Sequence, residues 1–458
     1  MWLDMVVVAL YLTVLLFIGV RGGRRVKTAA DFTATGGRYG TGVIFATLAA
    51  SFIGGGFSSG NASEAFSRGI GSTLALMGFA FAMMAIGRFL VCGVAQFNGV
   101  STVGGILETH YGRGARVLCG GFAFLSCAGV VAAQMEAMGL TFRTLLGVPS
   151  RAGVLIGCGI VLVYTAFGGM QSVIAADVVQ FVLLALGMPL LLIGGLHRAG
   201  GVTAVVQALP PAYWNPLNGT TAWGFVSLFL ALAVGEALAP PYTQRLLLGR
   251  TPAVTARATV MSGVFAIPFF VITGVIGLTA FAIDPAGEAA TAMPRMILTV
   301  LPLGVRGLVM AAMVSIILSA ADSFLNGAAI GLVCDVVTPL FPNTSPRTQL
   351  HLLRYSTLLI GGGAVVITFL LPGIFDILLA AYSFWCPVML VPLAAAFRGV
   401  SITRRGFFAA VGAGLGSSLF WTLLLNEPFG IGGSIVGLLI NAGVFFGNYA
   451  RLKYKMKY

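Results

Sequence analysis

Apolar stretches of about 20 residues, the length that crosses a bilayer as a helix, recur from one end of this sequence to the other. The chain has 458 residues, of which 58% are hydrophobic and 9% are charged, and its mean hydropathy is +0.99. Soluble domains carry about 25% charged residues. The sequence therefore predicts an all-α polytopic membrane protein, with one membrane domain that fills residues 1–458 and lies in the cell (inner) membrane.

The apolar stretches predict about thirteen transmembrane helices, with ends placed to within about four residues. They lie at residues 2–20, 41–66, 71–96, 115–145, 151–167, 170–196, 222–243, 256–283, 303–337, 350–371, 373–397, 404–425 and 429–449. The first stretch follows Met1 directly and has neither a basic leader nor a small-residue cleavage site. We therefore expect it to be a retained helix and not a signal peptide.

The net charge of +13 could suggest a nucleic-acid partner, but proteins of that kind gather basic residues on a soluble face. Here the basic residues alternate with the apolar stretches, and most of them fall in every second loop. This pattern predicts an outside amino terminus and a cytoplasmic carboxyl terminus. It places Arg245 in a cytoplasmic loop and leaves Arg88 as the only basic residue deep in a span. We expect no nucleic-acid partner and no obligate protein partner, only the lipid bilayer and a small solute.

Two spans are interrupted by residues that break helices. Gly54, Gly55 and Gly56 are consecutive in the second span, and each glycine costs a helix about 1 kcal/mol relative to alanine. Pro240 and Pro241 interrupt the seventh span. Broken segments in both halves of a chain are typical of secondary transporters built from inverted repeats, with a binding site between the breaks. Close helix packing through small residues is the alternative explanation for the glycines.

One face of the ninth span carries a stripe of oxygen-bearing side chains. Its members recur at the helical spacings of three and four residues and are Ser315, Ser319, Asp322, Ser323 and Asn326. A charge at membrane depth costs at least about 2.5 to 3.5 kcal/mol, so such residues usually have a function. The stripe predicts an ion site, and a structural hydrogen bond from Asp322 to a neighbouring helix is the alternative.

Residues 164–180 contain Tyr-Thr-x-x-Gly-Gly followed by Asp177-x-x-Gln180, and Gln244-Arg245 follows the broken seventh span. This pattern resembles the sodium/solute symporter family, which includes proline, pantothenate, sialic acid and sugar carriers. The resemblance implies a leucine-transporter-type core of two five-helix inverted repeats at residues 41–196 and 222–397. Residues 1–20 and 404–458 would form peripheral helices and a basic tail.

The resemblance also implies a cation site between the second and ninth spans. Its ligands would be Ala50, Ile53, Asp177, Ile316, Ser319, Asp322 and Ser323. Ala320 stands where the family usually has a serine or threonine, so one hydroxyl is missing. Two nearby carboxylates can bind sodium or share a proton. We favour sodium because hydroxyls and carbonyls accompany the carboxylates, and proton coupling remains the alternative.

The expected solute contacts are Gly55, Ser58, Ser59, Asn61, Gln134, Glu136, Glu236, Tyr382 and Trp385, since matching regions of related carriers face the substrate. Glu136 and Glu236 would suit an amine-bearing solute. An ion pair between Glu136 and Arg143, seven residues apart on one helical face, is the alternative for that glutamate.

Together these features predict a cation-coupled symporter of a small organic solute that works by alternating access. The alternatives are a proton-coupled carrier of the same fold and a membrane sensor that has kept a carrier fold. A sensor would usually carry a signalling domain after the membrane part, and we expect none after the basic tail. Gly56 to Gly60 matches the GxSxG pattern of hydrolases, but the three histidines lie at span ends or in loops, so no enzyme is expected.

Overall fold

The computed structural model describes residues 2–24, 26–33, 37–97, 99–371 and 373–455. Over these ranges the chain forms helices and no strand, with an isolated bridge between Tyr39 and Gly249. Nine helices in this part of the chain are long and apolar enough to cross a membrane, or up to eleven when two bent pairs are counted. The all-α, multi-pass architecture is confirmed, whereas the count of thirteen spans and the orientation remain predictions.

Fifteen helical segments form the membrane domain as the structure describes it. They are α1 Trp2–Gly23, α2 Thr41–Phe52, α3 Gly56–Arg68, α4 Gly71–Phe97, α5 Arg113–Leu146, α6 Ser150–Ala199, α7 Ala222–Val234, α8 Pro240–Leu246, α9 Pro252–Ile283, α10 Val305–Leu340, α11 Pro346–Leu370, α12 Ile374–Tyr382, α13 Cys386–Phe397, α14 Arg404–Leu423 and α15 Gly433–Lys455. Shorter helices lie at Ala29–Thr33, Val103–Tyr111, Val202–Ala208 and Ala292–Val300.

Both predicted interruptions are present. The axes of α2 and α3 differ by 63° across residues 53–55, where the glycines lie. The seventh span stops at Val234 and resumes at Pro240, with Leu238 in between at a φ of 54°. The two prolines occupy the first positions of α8, where the missing backbone N–H is not needed by the helix.

A third interruption was not predicted. The pair α12 and α13 is bent by 55° at residues 383–385, and Pro387 at the start of α13 was the signal in the sequence that was not used.

The predicted spans 151–167 and 170–196 are continuous in α6, apart from a non-helical Gly169 at a φ of 60°. Its 50 residues would be about 75 Å long if straight, against about 30 Å for the hydrocarbon core of a bilayer. Gly169 therefore divides α6 into two arms close to the predicted boundary.

Among the nine long apolar helices that the structure describes, the most enclosed is α10, which carries the predicted stripe of oxygens. Of the residues in its apolar segment, 94% are buried, against 22% for α1 and for α15. It packs against α1, α2, α5, α6, α8 and α11. Its polar residues therefore face other helices and not lipid.

The break between α2 and α3 has no room for a larger residue. A Cβ atom placed on Gly54 would lie 2.7 Å from the Cβ atom of Ala320 and 2.7 Å from Oε1 of Gln134. We expect Gly54→Ala to lower the unfolding free energy by about 1–3 kcal/mol, the usual cost of overpacking. The decrease should appear as a lower melting temperature of the purified protein in detergent.

Gly362→Ala is the matched control for this prediction. Gly362 is an exposed residue of α11, and a Cβ atom placed on it would have no other atom within 4 Å. Alanine should leave the melting temperature unchanged or raise it, because it favours the helix by about 1 kcal/mol. Equal effects of the two substitutions would contradict close packing at the break.

Candidate functional site

The break after α2 leaves a backbone carbonyl without its helical donor. Ile53 N still donates to Ala49 O at 3.2 Å, but Gly54 N donates to Phe52 O at 3.0 Å instead of to Ala50 O. Oε1 of Gln134 on α5 accepts a hydrogen bond from Gly55 N at 2.7 Å. All of these residues are buried, as irregular backbone at membrane depth must be. The carbonyl of Ala50 thus lacks the donor that a continuous helix would give it.

Ala320 of α10 lies directly against this break, as its contact with Gly54 shows. At this position, where the resemblance led us to expect a hydroxyl, the chain presents only a methyl group. The neighbouring Ser319 donates a hydrogen bond to Oδ1 of Asp177 at 2.7 Å. Ile53 and Ile316 are fully buried beside it. The structure thus places the backbone and hydroxyl members of the predicted cation site in the region where α2 and α10 meet.

Asp177 of α6 is held by an arginine. Nη2 of Arg245 lies 2.8 Å from Oδ2 of Asp177, and both side chains are fully buried. The guanidinium also donates to Ser323 Oγ at 2.7 Å, to Thr47 Oγ1 at 2.8 Å and to Pro241 O at 2.9 Å. Thr47 in turn donates to Oδ2 of Asp177. One guanidinium therefore joins α2, α6, α8 and α10.

The predicted location of Arg245 in a cytoplasmic loop is wrong, because its side chain is completely buried. Arg88, predicted to lie deep in a span, is exposed and has its guanidinium 5.5 Å from the ring centre of Phe89. The rule that assigns charged residues to loops uses only distance along the chain from an apolar stretch. It cannot detect that Asp177, distant in sequence, supplies a counter-charge. The Gln244-Arg245 pair directly after the broken span was the available signal.

Asp322 of α10 is also fully buried, but its partners are hydroxyl groups. Its Oδ2 accepts from the Tyr164 hydroxyl at 2.8 Å, and its Oδ1 accepts from Ser323 Oγ at 3.2 Å. Because Ser323 also accepts from Arg245, it connects the two aspartates. Asp177 and Asp322 thus belong to one network.

The ends of the predicted stripe do not take part in this network. Ser315 donates to Ala312 O of its own helix at 2.8 Å, and the amide of Asn326 contacts the sulfur of Met170 at 3.8 Å. The residues that meet are therefore the central ones, Ser319, Asp322 and Ser323.

A second buried carboxyl lies at the break between α7 and α8. Glu236 accepts hydrogen bonds from the hydroxyls of Tyr242 and Tyr382, the latter at 2.9 Å. Nε1 of Trp385 donates to Ala237 O at 3.1 Å. The predicted residues Glu236, Tyr382 and Trp385 are thus brought together, with Tyr382 at the end of α12 and Trp385 in the break that follows it.

Buried acids in the described part of the chain fall into two groups. Asp4, Asp177 and Asp335 each form an ion pair, with Arg306, Arg245 and Arg116 respectively. Asp322 and Glu236 have no lysine or arginine at ion-pair distance among these residues. A buried carboxylate without a counter-charge is stable only when a cation or a proton neutralises it. A bound cation or a proton could therefore supply the counter-charge that the carboxyls of Asp322 and Glu236 lack.

Three further predicted solute contacts, Ser58, Ser59 and Asn61, are buried and bond to protein groups around them. Ser58 donates to Gly54 O at 2.7 Å, and Ser59 contacts the sulfur of Met293 at 3.8 Å. The amide of Asn61 donates to Phe270 O at 3.0 Å and to Thr273 Oγ1 at 2.9 Å. Its oxygen accepts from two hydroxyls of α4. Asn61 therefore joins α3, α4 and α9 and is not free to bind a solute.

A cavity of about 470 Å³ lies at the far end of α3. Its charged lining consists of Glu64, Arg68, Glu136, Glu288 and Asp376. We call it the acidic cavity because four of these five side chains are acids. Of the predicted solute contacts, Glu136 lines it. Phe375 and Gly60 also line it, and their close packing is shown by the 2.7 Å that would separate Cε2 of Phe375 from a Cβ atom placed on Gly60.

The alternative ion pair between Glu136 and Arg143 is wrong. Arg143 pairs instead with Glu288, at 2.5 Å between Nη2 and Oε2. The hydrogen bond from Arg143 lowers the pKa of Glu288, which lies in the loop before the helix Ala292–Val300. Glu136 thus forms no ion pair among the described residues, and it lines the acidic cavity.

Comparison with known proteins agrees with this geometry. The model of the sodium:solute symporter family matches residues 32–414. The chain belongs to the sodium:solute symporter family. Two relatives are the high-affinity proline transporter PutP of Bacillus subtilis, 24% identical over 47% of this chain and 48% of that protein, and the human high affinity choline transporter 1, 24% identical over 81% of this chain and 68% of that protein. The chain thus spans about half the length of the first and two thirds of the second.

Solved structures of transporters share the fold of this family member. A Na⁺-coupled sialic acid symporter in a substrate-bound outward-open state matches with a TM-score of 0.82 over 96% of both chains, at 18% identity. The nucleobase-cation-symport-1 family transporter MHP1 matches with a TM-score of 0.62 over 93% of this chain and 95% of that chain, at 14% identity. The family and the matched proteins are transporters and not enzymes, as the sequence predicted.

The Asp177–Arg245 pair generates a stability prediction for this symporter family member. Removing one member of a buried pair leaves an uncompensated charge and costs about 3–5 kcal/mol. We expect Asp177→Asn and Arg245→Gln each to lower the melting temperature strongly in detergent. The double variant should lose much less than the sum of the two losses. Additive losses would show that the two side chains do not interact energetically.

Proposed function

We propose that the protein is a sodium-coupled symporter that carries a small organic solute by alternating access. The proposal rests on one observation above all: Asp322 is fully buried and has hydroxyl partners, but no arginine or lysine lies at ion-pair distance from it among the described residues. A monovalent cation at this place would neutralise the carboxylate. Family membership and the fold shared with transporters support the same proposal.

The cation would lie where α2 and α10 meet. Ala50 offers a carbonyl freed by the break, Ile53 and Ile316 offer carbonyls beside it, and Ser319 offers a hydroxyl. Asp322 would supply the negative charge. Sodium suits this set because it is a hard cation that prefers oxygen, and Ala320 leaves space that water or solute oxygen could fill. A proton on Asp322 is the alternative, in which the surrounding carbonyls would have no direct role.

The core of the carrier would consist of two inverted repeats at residues 41–196 and 222–397, with residues 1–20 and 404–458 outside it. The breaks between α2 and α3 and between α7 and α8 would then occupy equivalent positions in the two repeats. The acidic cavity opens at the end of the molecule that carries Arg68 and Arg143, predicted to be outside. Arg245 donates hydrogen bonds to residues of four helices on the predicted cytoplasmic side of the break between α2 and α3. These bonds favour a state that is closed towards the cytoplasm.

We further propose a solute that carries a positive charge. The acidic cavity would attract it, since clefts lined by one sign of charge concentrate counter-ions. From this cavity α12 leads inward from Phe375 to Tyr382, which contacts Glu236. Glu236 lacks a counter-charge from the described residues, and tyrosine rings near it can face a cationic amine. Gln134, Gly55, Ser58 and Ser59 would border the same path at the break.

The first test uses reconstituted proteoliposomes and labelled choline, proline, pantothenate and glucose, with inward sodium and proton gradients imposed separately. We expect a sodium gradient to drive accumulation of a solute by the native protein. Sodium should raise the affinity for that solute about 5- to 150-fold, the usual range for coupled sites. Asp322→Asn should abolish this effect, because the substitution removes the charge that the ion neutralises.

Asp31→Asn is the control. It makes the same chemical change inside the short helix Ala29–Thr33, outside the predicted spans, where an asparagine oxygen can still accept the hydrogen bonds that Lys27 N and Thr28 N donate to Asp31 Oδ2. Sodium dependence should persist in this variant. Uptake that responds only to the proton gradient would replace sodium by a proton, and sodium-driven uptake by Asp322→Asn would remove the assigned site.

The second test addresses the charge of the solute. Glu236→Gln keeps the size of the side chain and an oxygen for the tyrosine hydroxyls but removes the charge. Affinity for a cationic solute should fall by about 2–5 kcal/mol, the usual loss when a buried charge partner is removed. Glu288→Gln, on the rim and paired with Arg143, should change it little. Uptake of glucose but not choline, unaffected by Glu236→Gln, would contradict the proposed solute class.

A further inference from the structure

Asp177, Asp322 and Arg245 form one buried network where α2, α6, α8 and α10 meet. Ser323 connects them, because its hydroxyl lies 2.7 Å from Nη2 of Arg245 and 3.2 Å from Oδ1 of Asp322. With both aspartates ionised, the three side chains carry a net charge of −1. Buried charge has to be neutralised, and a single monovalent cation does so.

Arg245 lies where a second cation would otherwise bind. Nη2 of the guanidinium contacts Asp177 and Ser323, two of the side chains that the sequence predicted to bind a cation. Oδ1 of Asp177 accepts from Ser319, and its Oδ2 accepts from Thr47 as well as from Arg245. A metal ion bound at Asp177 and Ser323 would have to displace the guanidinium, which cannot lose its charge in a protein.

The guanidinium is also firmly fixed. Four hydrogen bonds connect it to residues on four different helices, and none of its side chain is exposed. Displacing it would leave a buried cation without partners, at a cost that a weakly bound sodium ion would not offset.

We propose that Arg245 is an internal, permanently bound cation in the place of a second coupling ion, so that the carrier binds one sodium ion per transport cycle. This inference rests on the proposed sodium coupling and adds its stoichiometry. Asp322 holds the exchangeable charge, whereas Asp177 is kept neutralised by the chain itself. Removal of the guanidinium changes the net charge of the network from −1 to −2 and frees oxygens of Asp177 and Ser323 for a second ion.

Equilibrium binding of radioactive sodium to the purified full-length protein in detergent tests this proposal without knowledge of the solute. The native protein should bind one sodium ion per chain, and Arg245→Gln should bind two. Arg245→Lys keeps the positive charge and should bind one. Arg88→Gln removes an exposed arginine of α4 and should also bind one.

Each result decides a specific point. Two ions on the native protein, or one ion on folded Arg245→Gln, would overturn the role given to Arg245. If Arg245→Gln does not fold, the native protein and Arg245→Lys still decide, since two ions on either would exclude an internal cation. No sodium on the native protein would instead remove sodium coupling itself, and with it this inference.

Discussion

Charge neutralisation inside an apolar helix bundle is the constraint on which this structure depends. A buried carboxylate costs several kcal/mol unless a partner offsets its desolvation. The chain provides that partner itself for Asp4, Asp177 and Asp335, each with an arginine from a distant segment. These pairs are found where helices must be held together. Asp322 and Glu236 are the exceptions. Glu236 lies in the break between α7 and α8, and Asp322 is connected through Ser323 to Ser51 near the end of α2.

The helix breaks and the two buried acids without an arginine partner, Asp322 and Glu236, depend on each other in the proposed carrier. A continuous helix through residues 53–55 would use its carbonyls internally and would present no oxygen to a cation beside Asp322. A break without nearby polar groups would leave backbone atoms unsatisfied in an apolar interior. Gln134, which accepts from Gly55 N, supports the broken backbone, and Ala320 gives it room by presenting only a methyl group. In the proposed carrier, packing at Gly54 and charge at Asp322 would serve the same cation site.

Sequence patterns predicted much of this arrangement, for reasons that can be stated. Apolar length predicts membrane helices because bilayer thickness is fixed, and glycine or proline predicts breaks because each acts on the local backbone. The spacing of Ser319, Asp322 and Ser323 predicted their common face, since helical geometry is local. The burial of Arg245 was missed because it depends on contacts with Asp177, which is far away in sequence. The bend at residues 383–385 had a local signal, Pro387 at the start of α13, that was not used. The same limitation produced the wrong pairing of Glu136 with Arg143, whose true partner Glu288 lies on another segment.

The two proposals about charge are energetically connected. A membrane potential of 100 mV contributes about 2.3 kcal/mol for each elementary charge that crosses with it. A carrier that moves one sodium ion with a neutral solute gains this amount once, whereas two sodium ions would gain it twice. If the solute itself is a cation, one sodium ion and the solute together carry two charges and gain about 4.6 kcal/mol. A carrier with Glu236 for the solute and Asp322 for the ion would therefore lose none of the electrical driving force when Arg245 replaces a second sodium ion. The empty carrier benefits as well, because the fixed guanidinium leaves one uncompensated charge at the ion site instead of two during its return.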